Sequence, residues 1–98
     1  MKVLISPGFG AGWSTWNIPE IAVDPRVIEA FERGVDEEEM LQLCKEWGLT
    51  DSHGSLYMGG FDELEIVEVP AGTMFRVEEY DGSEYIAKFN EREWHRAE

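Results

Sequence analysis

At 98 residues, 43% of them apolar, the chain is long enough to bury one modest core and too apolar to stay disordered. Eight basic side chains against 21 acidic ones give a net charge of −13, a field that repels nucleic acid and anionic membrane surfaces. A single cysteine, Cys44, excludes an intrachain disulfide and fits a reducing compartment.

Val3-Leu4-Ile5 is a short apolar run closed by Ser6-Pro7, as expected of a buried strand. Residues 6–17 then read Ser-Pro-Gly-Phe-Gly-Ala-Gly-Trp-Ser-Thr-Trp-Asn. Glycines at 8, 10 and 12 allow close backbone approach, and two tryptophans follow at once. The spacing is not a dinucleotide fingerprint, because Trp13, Trp16 and Pro19 stand where a helix should open, and there is no phosphate-binding lysine.

Asp24-Pro25 predicts a helix N-terminus, with Val27, Ile28 and Phe31 at helical spacing and Gly34 as terminator. Asp36 with Glu39 predicts a capping box, and Val35 with Met40 a hydrophobic staple. Met40, Leu43, Cys44 and Trp47 mark one helical face, so Cys44 reads as a small buried hydrophobe. Residues 49–63 form a long polar connection. It holds Asp51-Ser52-His53, the residue types of a nucleophilic triad, but adjacency does not make one and a polar loop is the better reading.

Three strands are expected at Leu64–Val69, Thr73–Tyr80 and Glu84–Phe89. In the first, Leu64 and Ile66 share one parity and Val67 and Val69 the other, which calls for a bulge or for burial of both faces. For the last two, a three-residue loop Tyr80-Asp81-Gly82 with a bulge pairs Val77 with Tyr85 and Phe75 with Ala87. It gathers Phe75, Val77, Tyr85, Ala87 and Phe89 on one face, and apolar alternation favours it over a two-residue Asp81-Gly82 turn. Asn90 and Glu93 can cap a last helical turn that folds Trp94 back.

The predicted fold is therefore α+β, a single domain over 1–98. An antiparallel sheet of three C-terminal strands plus the N-terminal strand carries two short helices on one face. The expected core is Leu4, Val27, Ile28, Phe31, Leu43, Trp47, Phe75, Val77 and Phe89. Met1-Lys2 leads into too short an apolar run for a signal peptide, and no stretch approaches the ~20 residues that span a bilayer. A soluble cytoplasmic protein is expected.

The opening Met-Lys-Val-Leu-Ile-Ser-Pro-Gly-Phe-Gly-Ala-Gly-Trp-Ser-Thr-Trp-Asn resembles the start of a set of short uncharacterised proteins encoded by tailed bacteriophages. Tyr57-Met58-Gly59-Gly60 and the run from Val69 to Glu84 are similar to their later portions. The resemblance implies expression inside an infected bacterium, in the host cytoplasm, and supplies no catalytic residue.

Two functions follow as expectations. The first is a non-enzymatic accessory protein that binds and modulates a host protein with a basic groove, one that handles nucleic acid or serves defence. Its acidic surface would include Glu37, Glu38, Asp62, Glu63, Glu78 and Glu84. The alternative is a small-ligand or nucleotide pocket lined by Trp13, Ser14, Trp16, Asn17, His53 and Tyr57. No metal site, cofactor or catalytic set is expected: the cysteine and histidine spacing of a zinc site is missing, and 21 carboxylates make any one pair uninformative.

Overall fold

Aspartates open the two α-helices of the described residues. In a computed structural model, which describes residues 1–88, helix α1 spans Pro25–Arg33 and helix α2 spans Glu37–Glu46. The Asp24 carboxylate accepts the Arg26 N–H at 2.8 Å, and Pro25 sits at the first helical position, where a missing N–H costs nothing. Gly34 is left-handed at φ +85°, and the Gly34 and Val35 N–H groups donate to the Phe31 and Ala30 carbonyls in a Schellman ending. Asp36 caps α2 by accepting the Glu39 N–H at 2.8 Å, while the Glu39 carboxylate lies 3.9 Å from Arg33. Glu37, Glu38 and Glu39 fill the first turn, where the helix dipole favours negative charge.

The described residues also form four strands: β1 Lys2–Ile5, β2 Glu65–Glu68, β3 Phe75–Tyr80 and β4 Ser83–Lys88. Their pairing differs from the expected four-stranded sheet. β1 pairs with β2 and β3 with β4, as two separate antiparallel ribbons. The reason lies after β2. Pro70–Thr73 makes a turn closed by the Thr73 N–H on the Pro70 carbonyl, with Gly72 at φ +84°, and the chain leaves β2 without a hairpin register onto β3.

The mixed parity of residues 64–69 now has its explanation, which is burial of both faces. In the β1–β2 register Leu4 stands opposite Ile66, and Val3 opposite Val67. Leu4, Leu64 and Ile66 pack with Val27, Ile28, Met40 and Cys44 under the helices. Val3, Ile5, Val67 and Val69 pack with Phe75, Val77 and Ile86 of the β3–β4 hairpin. The β1–β2 ribbon is thus a middle layer.

Of the expected core, Leu4, Val27 and Ile28 are buried, and Phe31, Leu43, Trp47, Phe75 and Val77 are half-buried against it. Trp47 lies with the Arg26 guanidinium 5.1 Å over its ring. Cys44 is fully buried, and burial, aided by the Asp24 charge, pushes its thiol up to about 11. It therefore stays protonated, as a small core hydrophobe. Phe89 and the expected terminal turn with Trp94 lie outside the described residues. Among the described residues, no helix is long and apolar enough to cross a membrane.

The hairpin corrects a second expectation. Its turn is the two-residue one: Asp81 at φ +50° and Gly82 at φ +84° join Tyr80 directly to Ser83. Val77 then faces Ile86, and Glu79 faces Glu84. Tyr85 and Ala87, expected inside, turn to the outer face, where Tyr85 is 47% exposed. The register sends Glu84 inward instead.

Candidate functional site

Glu84 is 2% exposed, in a chain where most carboxylates face water. A buried carboxylate is costly unless donors surround it, and here they do. Oε1 accepts the Ser6 N–H at 2.9 Å. Oε2 accepts the Trp13 N–H at 2.8 Å, the Thr15 N–H at 2.9 Å and the Thr15 hydroxyl at 2.5 Å. The donors all come from the glycine–tryptophan segment at the other end of the chain. Glu84, expected on the acidic surface, is the post around which that segment is wound.

The winding is tight. The Glu84 N–H donates to the Ser6 carbonyl at 2.8 Å, and the Ser83 hydroxyl to the Pro7 carbonyl at 2.7 Å. Within the loop, the Ser6 hydroxyl donates to the Ala11 carbonyl at 2.7 Å, and the Gly10 N–H reaches the Asp81 carbonyl at 2.6 Å. Gly82 is required on two counts. Its φ is left-handed, and a Cβ there would stand 2.4 Å from the Ala11 nitrogen. A Cβ on Gly60 would likewise meet the Gly12 carbonyl and the Ser6 hydroxyl at 2.8 Å. Three backbones converge where side chains have no room.

The residues expected to line a ligand pocket separate into three groups. Trp13 and Ser14 are buried, at 0% and 4% exposure, and Trp13 belongs to the main core. They cannot touch a ligand at the surface. The Trp13 indole N–H has no hydrogen-bond partner among the described residues. Trp16, Asn17 and Tyr57 do come together. The Asn17 amide donates to the Trp13 and Tyr57 carbonyls at 2.9 Å and accepts the Tyr57 N–H at 2.7 Å, so that it joins the two segments as a strand would. Trp16 and Tyr57, 40% and 42% exposed, face each other with ring centroids 5.2 Å apart at 48°. His53 stands apart, exposed in a turn where Asp51 accepts the His53 and Ser55 N–H groups at 2.8 and 2.9 Å. Those two bonds, the Ser55 one foremost, hold the Asp51 carboxyl below the usual carboxylate range. The Asp51-Ser52-His53 run is an Asx-type turn whose carboxylate serves backbone, not an imidazole.

Of the acidic residues expected at the surface, Glu37, Glu38, Asp62 and Glu63 are exposed. Glu78 is half-buried and engaged, 2.7 Å from the Arg76 guanidinium and 3.3 Å from the Tyr85 hydroxyl that donates to it. A cleft of about 260 Å³ lies elsewhere, between the N-terminus and α1, and is lined in part by Lys2, Val23, Pro25, Ile28 and Glu32. It contains none of the candidate residues, and Lys2 pairs with Glu32 across its rim. Among the described residues, no three His, Cys, Asp or Glu side chains are grouped to hold a metal ion.

What sequence reasoning missed is the buried role of Glu84, the exposure of Phe9 in the glycine loop and that of Tyr80 at the hairpin turn. Asp-Gly is a strong signal for a two-residue hairpin turn, and taking it at face value would have turned Glu84 inward. No family model, no curated protein and no solved structure matches the chain, so its function has to be read from its own residues.

Proposed function

We propose that the chain is a non-enzymatic binding protein whose acidic surface engages and modulates a protein with a basic groove. Under the phage resemblance, that partner is a host protein that handles nucleic acid or serves defence. One observation supports the reading above others. Among the described residues, Asp24, Glu78 and Glu84 are the only acidic side chains that are not exposed. Lys2, Arg26, Arg33 and Arg76 each pair with a carboxylate of this chain, and the acidic residues still outnumber the basic ones. The acidic excess of the described residues therefore lies mostly at the surface, a field that steers a basic partner toward it.

The test is capture from bacterial lysate with the full chain as bait, at low and at high salt. A partner held at low salt, released as the Debye length shortens, and displaced by a polyanion such as heparin is the expected result. Recovery of no partner at any ionic strength refutes the reading.

A further inference from the structure

We infer that Phe9 is the anchor of this surface, and that it takes an arginine side chain of the partner. The inference rests on the acidic-surface reading and names the contact within it. Phe9 is 74% exposed, at the tip of a segment with glycine on either side. Such a segment would ordinarily be among the most mobile of the chain. Here it is fixed from both flanks: the Ser6 N–H is bound by Glu84, and the Gly10 N–H by the Asp81 carbonyl at 2.6 Å. A large apolar ring is thus held out in water on a rigid base. Preorganisation of this kind lowers the entropic cost of binding, and rigid aromatic side chains are typical interface anchors.

Acidic residues adjoin both neighbours of Phe9. The Glu63 Oε2 lies 3.1 Å from where a Cβ on residue 8 would stand, and the Asp81 main-chain carbonyl accepts the Gly10 N–H. Both are exposed, and Tyr80, next to Asp81, is 75% exposed. An exposed aromatic ring beside acidic residues matches the guanidinium group. Its plane stacks on the ring, its alkyl stem covers apolar surface, and its N–H fork meets the carboxylates. Lysine offers the same charge but neither the plane nor the fork.

The probes are two synthetic peptides, hexa-arginine and hexa-lysine, titrated at low salt into the full-length protein. Affinities are read by calorimetry, and the contact is mapped by amide chemical shifts. The arginine peptide is expected to bind about two- to fivefold more tightly and to move Phe9, Gly10, Glu63 and Asp81. Phe9→Ala is expected to abolish that preference while leaving hexa-lysine binding and the thermal unfolding midpoint unchanged. Asp81→Asn, which keeps a residue at home at positive φ, is expected to weaken both peptides. Equal binding of the two peptides, or a preference that survives Phe9→Ala, overturns the Phe9 contact and leaves the acidic-surface reading standing. Failure of both peptides to bind at low salt overturns the two together.

Discussion

The helical half of the molecule and its loop–hairpin half are held by different forces. Between α1, α2 and the inner face of β1–β2 the contacts are apolar, and each helix end is closed by a cap a few residues away. Around Glu84 the contacts are hydrogen bonds from one carboxylate to donors 69 to 78 residues distant. Apolar packing tolerates exchange of one hydrophobe for another of similar volume, since it is non-directional. A carboxylate with four directed donors has no such substitute. The two halves should therefore fail separately and to different degrees.

The largest effect is expected from Glu84→Ala. It leaves the Ser6, Trp13 and Thr15 N–H groups without their acceptor in a buried setting, at about 1–3 kcal/mol each. The sum is comparable to the whole stability of a small domain, roughly 5 kcal/mol at the low end. Urea unfolding should show a collapse of the midpoint, and tryptophan emission should shift to the red as Trp13 gains water. Glu84→Gln should recover only part of the loss, because an amide presents a donor where one oxygen accepted. Gly82→Ala comes next, at about 2 kcal/mol or more, since it combines positive φ with a Cβ 2.4 Å from the Ala11 nitrogen.

The helical half is sharpened by alkali. The Cys44 thiol stands at about 11 in the folded chain against an ordinary 9.0. Above pH 9.0 the unfolded chain has released this proton and the folded chain has kept it, so stability falls as pH rises toward about 11. The loss should be on the order of 1 kcal/mol within that window, and Cys44→Ala should remove the dependence. The comparison of urea midpoints across that window, with and without the thiol, isolates it from other titrations. Asp36→Ala should cost about 1 kcal/mol, read as a lower unfolding midpoint with reduced helical dichroism. Smallest is Trp16→Ala, within about 1 kcal/mol, because that ring is 40% exposed and rests mainly on Tyr57. A large loss there would move Trp16 into the class of Trp13 and erase the contrast between buried and displayed aromatics.

The same division governs what could be read from the chain before its fold was known. Asp24, Pro25, Gly34 and Asp36 act within a few residues of themselves, and both helices formed where those residues placed them. The strands lie near their expected places too, within a residue or two of their apolar runs. The pairing of β3 with β4 as a hairpin was legible, but the partner of β1 and β2 was not. Residues 64–69 carry apolar side chains of both parities, and only the structure distinguishes a bulge from a ribbon buried on two sides. The hairpin register was misjudged because alternation prices every glutamate as a surface residue. Burying Tyr85 and Ala87 looked better than burying Glu84, and it would have been, had Ser6, Trp13 and Thr15 not brought their donors. Those donors lie at the opposite end of the sequence and leave no local mark. The surface reading suffered from the same cause, with Glu84 counted among exposed acids and Phe9 left out.

The middle position of β1 has a consequence for how the chain is made. β1 and the loop after it leave the ribosome before the residues they pair with. β1 waits for residues 65–68, and the segment from Ser6 to Thr15 waits for Glu84. Only the helices, which need nothing but their own caps and each other, can begin to order while the nascent chain is still tethered. Vectorial synthesis therefore gives the amino-terminal strand no head start. A ribosome stalled short of residue 84 would hold out an apolar Val3-Leu4-Ile5 run and two unplaced tryptophans, a target for chaperones, until the last turn of the hairpin is released.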